Sequence, residues 1–204
     1  MRSRAKDPAY PRAALFITVL LSFGVSAQAR TGKLKNGTSP DGRYRVEVVE
    51  TGTPPQITYD LLRRQDGALL HRFESSYQPQ PGELRDWAWH HSTDANIDWS
   101  SDSRHFSIDE QVHHYIGEVL LAEISSRGAR QIKLPERAIV AATKRRWDRQ
   151  RIRHRRGWIT ADMLSLVLAG LEASSYRSWY FEAILRIRGG KAEVISCRDV
   201  TNEP

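Results

Sequence analysis

The chain has 204 residues, 40% of them apolar and 27% charged, with a formal net charge of +7 and one cysteine. This length supports one core rather than two full domains, and the apolar content excludes a disordered chain. A single cysteine excludes both a disulfide-stapled scaffold and a thiolate zinc site.

Residues 1–29 read as a signal peptide. Arg2, Arg4, Lys6 and Arg12 precede an uncharged apolar run from Ala13 to Val25, and Ala27-Gln28-Ala29 offers the small residues of a signal-peptidase site. The run is shorter than the about 20 apolar residues that cross a bilayer. No cysteine follows it to carry a lipoprotein anchor, and no adjacent arginine pair suggests a twin-arginine route. The expectation is a secreted or periplasmic protein, with no transmembrane span after cleavage and one mainly-β domain over 30–204. In that oxidising setting Cys197 has no internal partner, and its place at the end of an alternating stretch predicts burial.

Three landmarks recur along the domain. The turn Ser39-Pro40-Asp41-Gly42 opens an alternating strand in which Tyr44, Val46 and Val48 interleave with Arg43, Arg45 and Glu47. Similar turns follow at Ser100-Ser101-Asp102-Ser103 and, more loosely, at Thr160-Ala161-Asp162-Met163, so that Asp41, Asp102 and Asp162 are spaced by 61 and 60 residues. A hairpin turn recurs at Gly67, Gly128 and Gly190, spaced by 61 and 62, each time between β-type runs. Trp99 and Trp158 precede the second and third Asp turns, whereas Thr38 holds that place in the first.

These spacings predict three units, about 36–75, 97–135 and 156–198. Each has one strand after its Asp turn and then a hairpin. Apolar residues fall three, five and seven after Asp41 but four and six after Asp102 and Asp162, a slip that one bulge absorbs. Between the first two units lies a Trp- and His-rich loop from Gln78 to about Asn96. Between the last two, Pro135-Glu136 opens a short basic helix within Arg137 to Ile152.

The quoted turns resemble the TolB-type propeller repeat, whose blade carries Trp, Ser-Pro-Asp-Gly, an alternating strand and a Gly-turned hairpin. Ser39-Pro40-Asp41-Gly42-Arg43-Tyr44 carries the likeness best and Trp99-Ser100-Ser101-Asp102-Ser103 next. Family blades are shorter, and a closed propeller takes at least four of them. The resemblance therefore implies propeller-like antiparallel units in an open or sandwich-like array. It implies a binding surface more than an enzyme. Asp41, Gly42, Gly67, Asp102, Gly128, Asp162 and Gly190 are read as structural turn residues.

The strongest local chemical feature is basic. Lys144, Arg145, Arg146, Arg149, Arg151, Arg153, Arg155 and Arg156 share a thirteen-residue stretch with one acid, Asp148, a local +7. The rest of the mature chain holds 19 basic against 22 acidic residues. Arginine forks suit phosphate or carboxylate, so this stretch is the candidate anion patch. Export directs it toward an anionic envelope component or protein partner, not nucleic acid. The plainer reading is a charged edge that blocks sheet-to-sheet association.

His90, His91, His105, His113 and His114, with Asp94, Asp98, Asp109 and Glu110, suggest a metal-dependent hydrolase as an alternative. The spacing matches no compact ligand motif, so no metal or cofactor is assigned. No nucleophile elbow, phosphate loop or Cys-His signature supplies a catalytic residue. Trp87 and Trp89 suit either a ligand-presenting loop or a short buried strand. An open sheet edge also allows a self-assembling structural subunit.

Overall fold

The structure, a computed structural model, describes residues 29–52, 55–76, 94–113, 116–144, 149–171 and 178–201, with backbone alone at 111–113, 116–117, 149–156, 171 and 178. The fold is mainly β, as expected, with one short helix. The signal peptide, the Trp87–His91 loop and His114 fall outside the described residues.

Twelve strands form three consecutive four-stranded antiparallel meanders. The first comprises β1 (Arg30–Thr38), β2 (Tyr44–Thr51), β3 (Gln56–Arg63) and β4 (Leu69–Glu74). The second comprises β5 (Asn96–Trp99), β6 (His105–His113), β7 (Ile116–Ser125) and β8 (Gly128–Ile132). The helix α1 (Glu136–Thr143) leads to the third, made of β9 (Arg149–Trp158), β10 (Met163–Leu171), β11 (Ser178–Arg188) and β12 (Lys191–Asp199). Each Asp turn joins the first two strands of its meander and each Gly turn joins the last two. The repeat thus includes a strand before the Asp turn, which the sequence pattern did not display.

A single parallel bridge, Lys35 to Asn96, joins β1 to β5 and makes one eight-stranded sheet of the first two meanders. That sheet folds back until its outer strands β4 and β8 approach, so it is nearly closed. The first core lies inside the fold, where Val46, Val48, Tyr59 and Phe73 meet Trp99, Phe106, Ile108 and Leu120. The third meander covers the other side of the second. Its Leu164, Leu166, Leu168 and Phe181 meet Val119, Leu121, Ile132 and Ile139 of α1 in a second core. Strand β7 serves both: Leu120 and Ala122 face one core, Val119 and Leu121 the other, as the two-residue strand period requires.

The apolar slip between units is not a bulge. Ser39 N–H bonds the Tyr44 carbonyl and Ser100 N–H the His105 carbonyl, so β2 and β6 leave their turns in the same phase. β2 then pairs with β3, and β6 with β5 and β7, without a register shift over the residues concerned, and the shift in the β1–β2 ladder lies on the β1 side, between Lys33 and Thr38. What changes is the face that meets the first core. The first sheet presents Tyr44, Val46 and Val48 to its successor, and the second presents Phe106 and Ile108 to its predecessor. The sheets stack in one direction, like coins laid the same way up.

That direction explains the missing tryptophan. Trp99 donates its indole N–H to the Asn36 carbonyl at 3.0 Å, and Trp158 donates to the Asp98 carbonyl at 3.1 Å. Each Trp fastens its sheet to the one before. Thr38 occupies the equivalent place in the first sheet, which follows no other among the described residues.

The helix has the expected length of about two turns but not the expected basic character. It ends at Thr143, with Lys144 in the left-handed region at φ 55°, and its only basic residue is Arg137. Ile139 and Thr143, one turn apart, are its buried positions. The residues from Arg149 onward pair with apolar β10 instead, because a ladder along that strand satisfies more backbone than an isolated helical extension.

Candidate functional site

The basic stretch divides among three settings. Lys144 is exposed at the helix end, where its N–H bonds the Ala141 carbonyl. Arg145 and Arg146 lie outside the described residues. Arg149, Arg151 and Arg153 lie on β9, in register with Leu171, Ala169 and Val167. Beyond them the register shifts, so that His154, Arg155 and Arg156 span an irregularity before Gly157 meets Ser165. β9 ends its sheet, hydrogen-bonding to β10 alone among the described strands. Charged residues and a bulge on a terminal strand are also how proteins protect an open edge.

The row opposite Arg153 continues through Val167 and Glu182 to Arg198. Glu182 is buried, accepting the Ser165 hydroxyl at 2.7 Å and the Arg198 guanidinium through Nε at 2.7 Å. Its charge is thus matched within the sheet.

The described histidine and acids of this region make structural contacts. His105 is buried between the second and third sheets, its ring stacked on Trp158 at 5.4 Å and its Nδ1 donating to the Ala161 carbonyl at 2.9 Å. Asp98 accepts the Trp158 N–H at 3.3 Å, and buried Glu110 accepts the Ser75 hydroxyl at 2.5 Å and the Ser76 N–H at 2.9 Å. Among the described residues no three of His, Cys, Asp and Glu gather as metal ligands. Cys197 is half-buried against the second core, where burial pushes its thiol up.

The turn residues act on their own backbone. Asp41 accepts the Ser39 hydroxyl at 2.8 Å and the Arg43 N–H at 2.9 Å, and Asp102 repeats this with Ser100 at 2.7 Å and the Arg104 N–H at 3.0 Å. Asp162 accepts the Thr160 hydroxyl at 3.0 Å and Arg188 at 3.2 Å. Partial burial opposes ionisation of Asp41, but the Arg43 N–H, the Ser39 hydroxyl and the Arg43 guanidinium outweigh it and hold the carboxyl below its ordinary value. The Ala68 N–H does the same for Asp66, and the Thr160 hydroxyl for Asp162. Gly42, Gly67, Gly128 and Gly190 all have positive φ, which the hairpin and turn geometries need.

One cluster escaped the sequence pattern. Arg43, Arg63 and Arg64 line a cleft of about 580 Å³ with Tyr44 at the turn end of the first sheet. Arg43 lies over the Tyr44 ring at 5.2 Å and pairs with Asp41, Arg63 pairs with Asp66 at 2.9 Å, and Arg64 bonds the Gly42 carbonyl at 3.1 Å. No window shows it as a charge run, because its residues flank two separate turns. The signal available was an arginine two residues after the Asp of each of the first two turns, Arg43 and Arg104.

The fold and these sites define a class: a stack of three four-stranded β-meanders whose charged groups gather at turns and at one terminal strand. No family model matches the chain, and no match to a curated protein or a solved structure was found. Nothing in these comparisons identifies a TolB-type repeat.

Proposed function

We propose that this protein is an exported, non-enzymatic interaction module that docks an anionic envelope component or protein partner through Lys144–Arg156. The observation that carries the reading is charge segregation: +7 over thirteen residues against a background of opposite sign. A terminal strand supports it further, since Arg149, Arg151 and Arg153 recur at every second position along an edge to which no described strand hydrogen-bonds. The leader supports export, and the thrice-repeated Asp-turn meander supports the TolB-type likeness and its binding role.

Immobilised heparin serves as a polyanion probe. The protein is expected to bind it with a steep dependence on salt, and replacing Arg145, Arg146, Arg149 and Arg153 by Gln is expected to lower the eluting salt concentration markedly. Elution unchanged in that variant, with its fold intact by circular dichroism, overturns the reading.

A further inference from the structure

A different face of the molecule is also cationic, and it carries exposed aliphatic side chains. The three Asp turns lie side by side at one end of the stack: Asp41 N–H donates to the Ser103 hydroxyl at 3.1 Å, and His105 bonds the Ala161 carbonyl of the third turn. Each Gly turn is tied to the Asp turn of its own sheet. The bonds are Arg64 N–H to the Arg43 carbonyl at 2.9 Å, Ile124 N–H to Arg104 at 2.7 Å, and Ile187 N–H to Asp162 at 2.7 Å. Six turns therefore share one end of the molecule.

Over segments 39–44, 63–69, 100–105, 124–129, 159–163 and 187–191 there are seven Lys or Arg against four Asp. Asp41, Asp66 and Asp162 pair with Arg43, Arg63 and Arg188, and Asp102 bonds within its own turn. Arg64, Arg104 and Arg127 are exposed and meet no carboxylate among the described residues. With sheets about 10 Å apart, the cations spread over a broad face rather than a point.

Among the described residues three large apolar side chains are exposed, and two of them stand at this end: Leu69, 50% exposed, just after the first Gly turn, and Ile159, 52% exposed, in the third Asp turn. The third, Ile195, lies within β12. Cations spread across a face with protruding aliphatic residues complement an anionic headgroup layer over an acyl interior. A soluble polyanion accounts for the arginines and leaves Leu69 and Ile159 without a role. Stacked aromatic platforms for nucleic-acid bases are absent from the described turns.

We infer that the turn end of the stack is a peripheral docking face for an anionic lipid bilayer, with arginines at the headgroups and Leu69 and Ile159 entering the interface. The face adjoins the Arg156 end of the basic strand at Ile159, but it uses other arginines and does not depend on that reading. The test uses the full chain with an environment-sensitive nitrobenzoxadiazole label on L69C or I159C, each in a C197S background. A label on Q56C, at the opposite end of β3, is the control. Vesicles of phosphatidylglycerol and phosphatidylcholine are expected to blue-shift the labels at 69 and 159 and leave the label at 56 unchanged. Pure phosphatidylcholine is expected to shift none.

The triple variant R64Q/R104Q/R127Q, which keeps the paired arginines of the turns, is expected to weaken the shift-monitored partitioning by at least about tenfold at low salt. A shift at 56 equal to that at 69 and 159 overturns the inference. So does partitioning unchanged in the triple variant, or partitioning lost only when Arg149, Arg151 and Arg153 are replaced. Binding to soluble heparin that abolishes the vesicle response, with L69S/I159S partitioning like the parent, reassigns the face to a polymer and also overturns it.

Discussion

The two interfaces of the stack obey one geometry with different chemistry. Between the first and second sheets the core is aromatic: Phe106 meets Phe73 edge-on at 5.6 Å and Trp99 at 4.8 Å, and hydrogen bonds from Trp99 to Asn36, from Asp41 to Ser103 and from Ser75 to Glu110 border it. Between the second and third, an apolar core of leucines is bordered by polar contacts, including His105 on Trp158, Asp98 on the Trp158 N–H, and Arg130 beside Gly190. Directionless burial and a few placed polar groups hold both pairs, the first around aromatic rings and the second around leucines. A fixed stacking direction can therefore tolerate very different fillings.

Substitutions can set the two interfaces against each other. The largest effect is expected at Phe106→Ala, which empties the centre of the first core. A fully buried Phe lost in this way costs about 3–5 kcal/mol, readable as a lowered urea midpoint with an unchanged slope. Next is Gly157→Ala. Gly157 has φ 82°, and an added methyl group would collide with the Asp98 carboxylate across the second interface. Backbone strain of this kind costs about 1–3 kcal/mol. Amide exchange is expected to quicken in β9–β12 while β2, β3 and β6 stay protected. Uniform quickening across all three sheets would mean that the interfaces are not separable.

The smallest expected effect belongs to the paired changes Trp99→Phe and Trp158→Phe. Each removes one indole hydrogen bond worth about 1 kcal/mol and keeps most of the packing. Trp158→Phe is expected also to disturb the His105 ring, visible as a chemical-shift change at that imidazole, which Trp99→Phe leaves alone.

Much of this architecture is legible in the amino-acid order. Asp41, Asp102 and Asp162, with Gly67, Gly128 and Gly190, mark turns because their requirements are local: an acceptor for neighbouring N–H groups and a backbone free to take positive φ. The opening strand of each meander left a weaker trace. β5 has only four residues, and β9 is so rich in arginine that a helical continuation from Pro135 competes with it on paper. Its partner β10 decides the matter, and pairing between distant segments is not written in a local window. The arginine cleft at Arg43, Arg63 and Arg64 was hidden for the same reason, since the fold brings separate turns together. The phase slip after Asp41 is visible too, but a change of buried face and an inserted residue leave the same mark in a pattern.

Thr38 gives the molecule a beginning. With Arg45 paired to Glu47 and Asp60 to Arg72 on its outer side, the first sheet has its charges matched there and no indole at Thr38 with which to grip a predecessor. A supplementary meander grafted ahead of Arg30 would meet a finished wall. One grafted after Asp199 and opening with its own tryptophan would inherit the grip that Trp99 and Trp158 use, so the architecture can be lengthened from one side only.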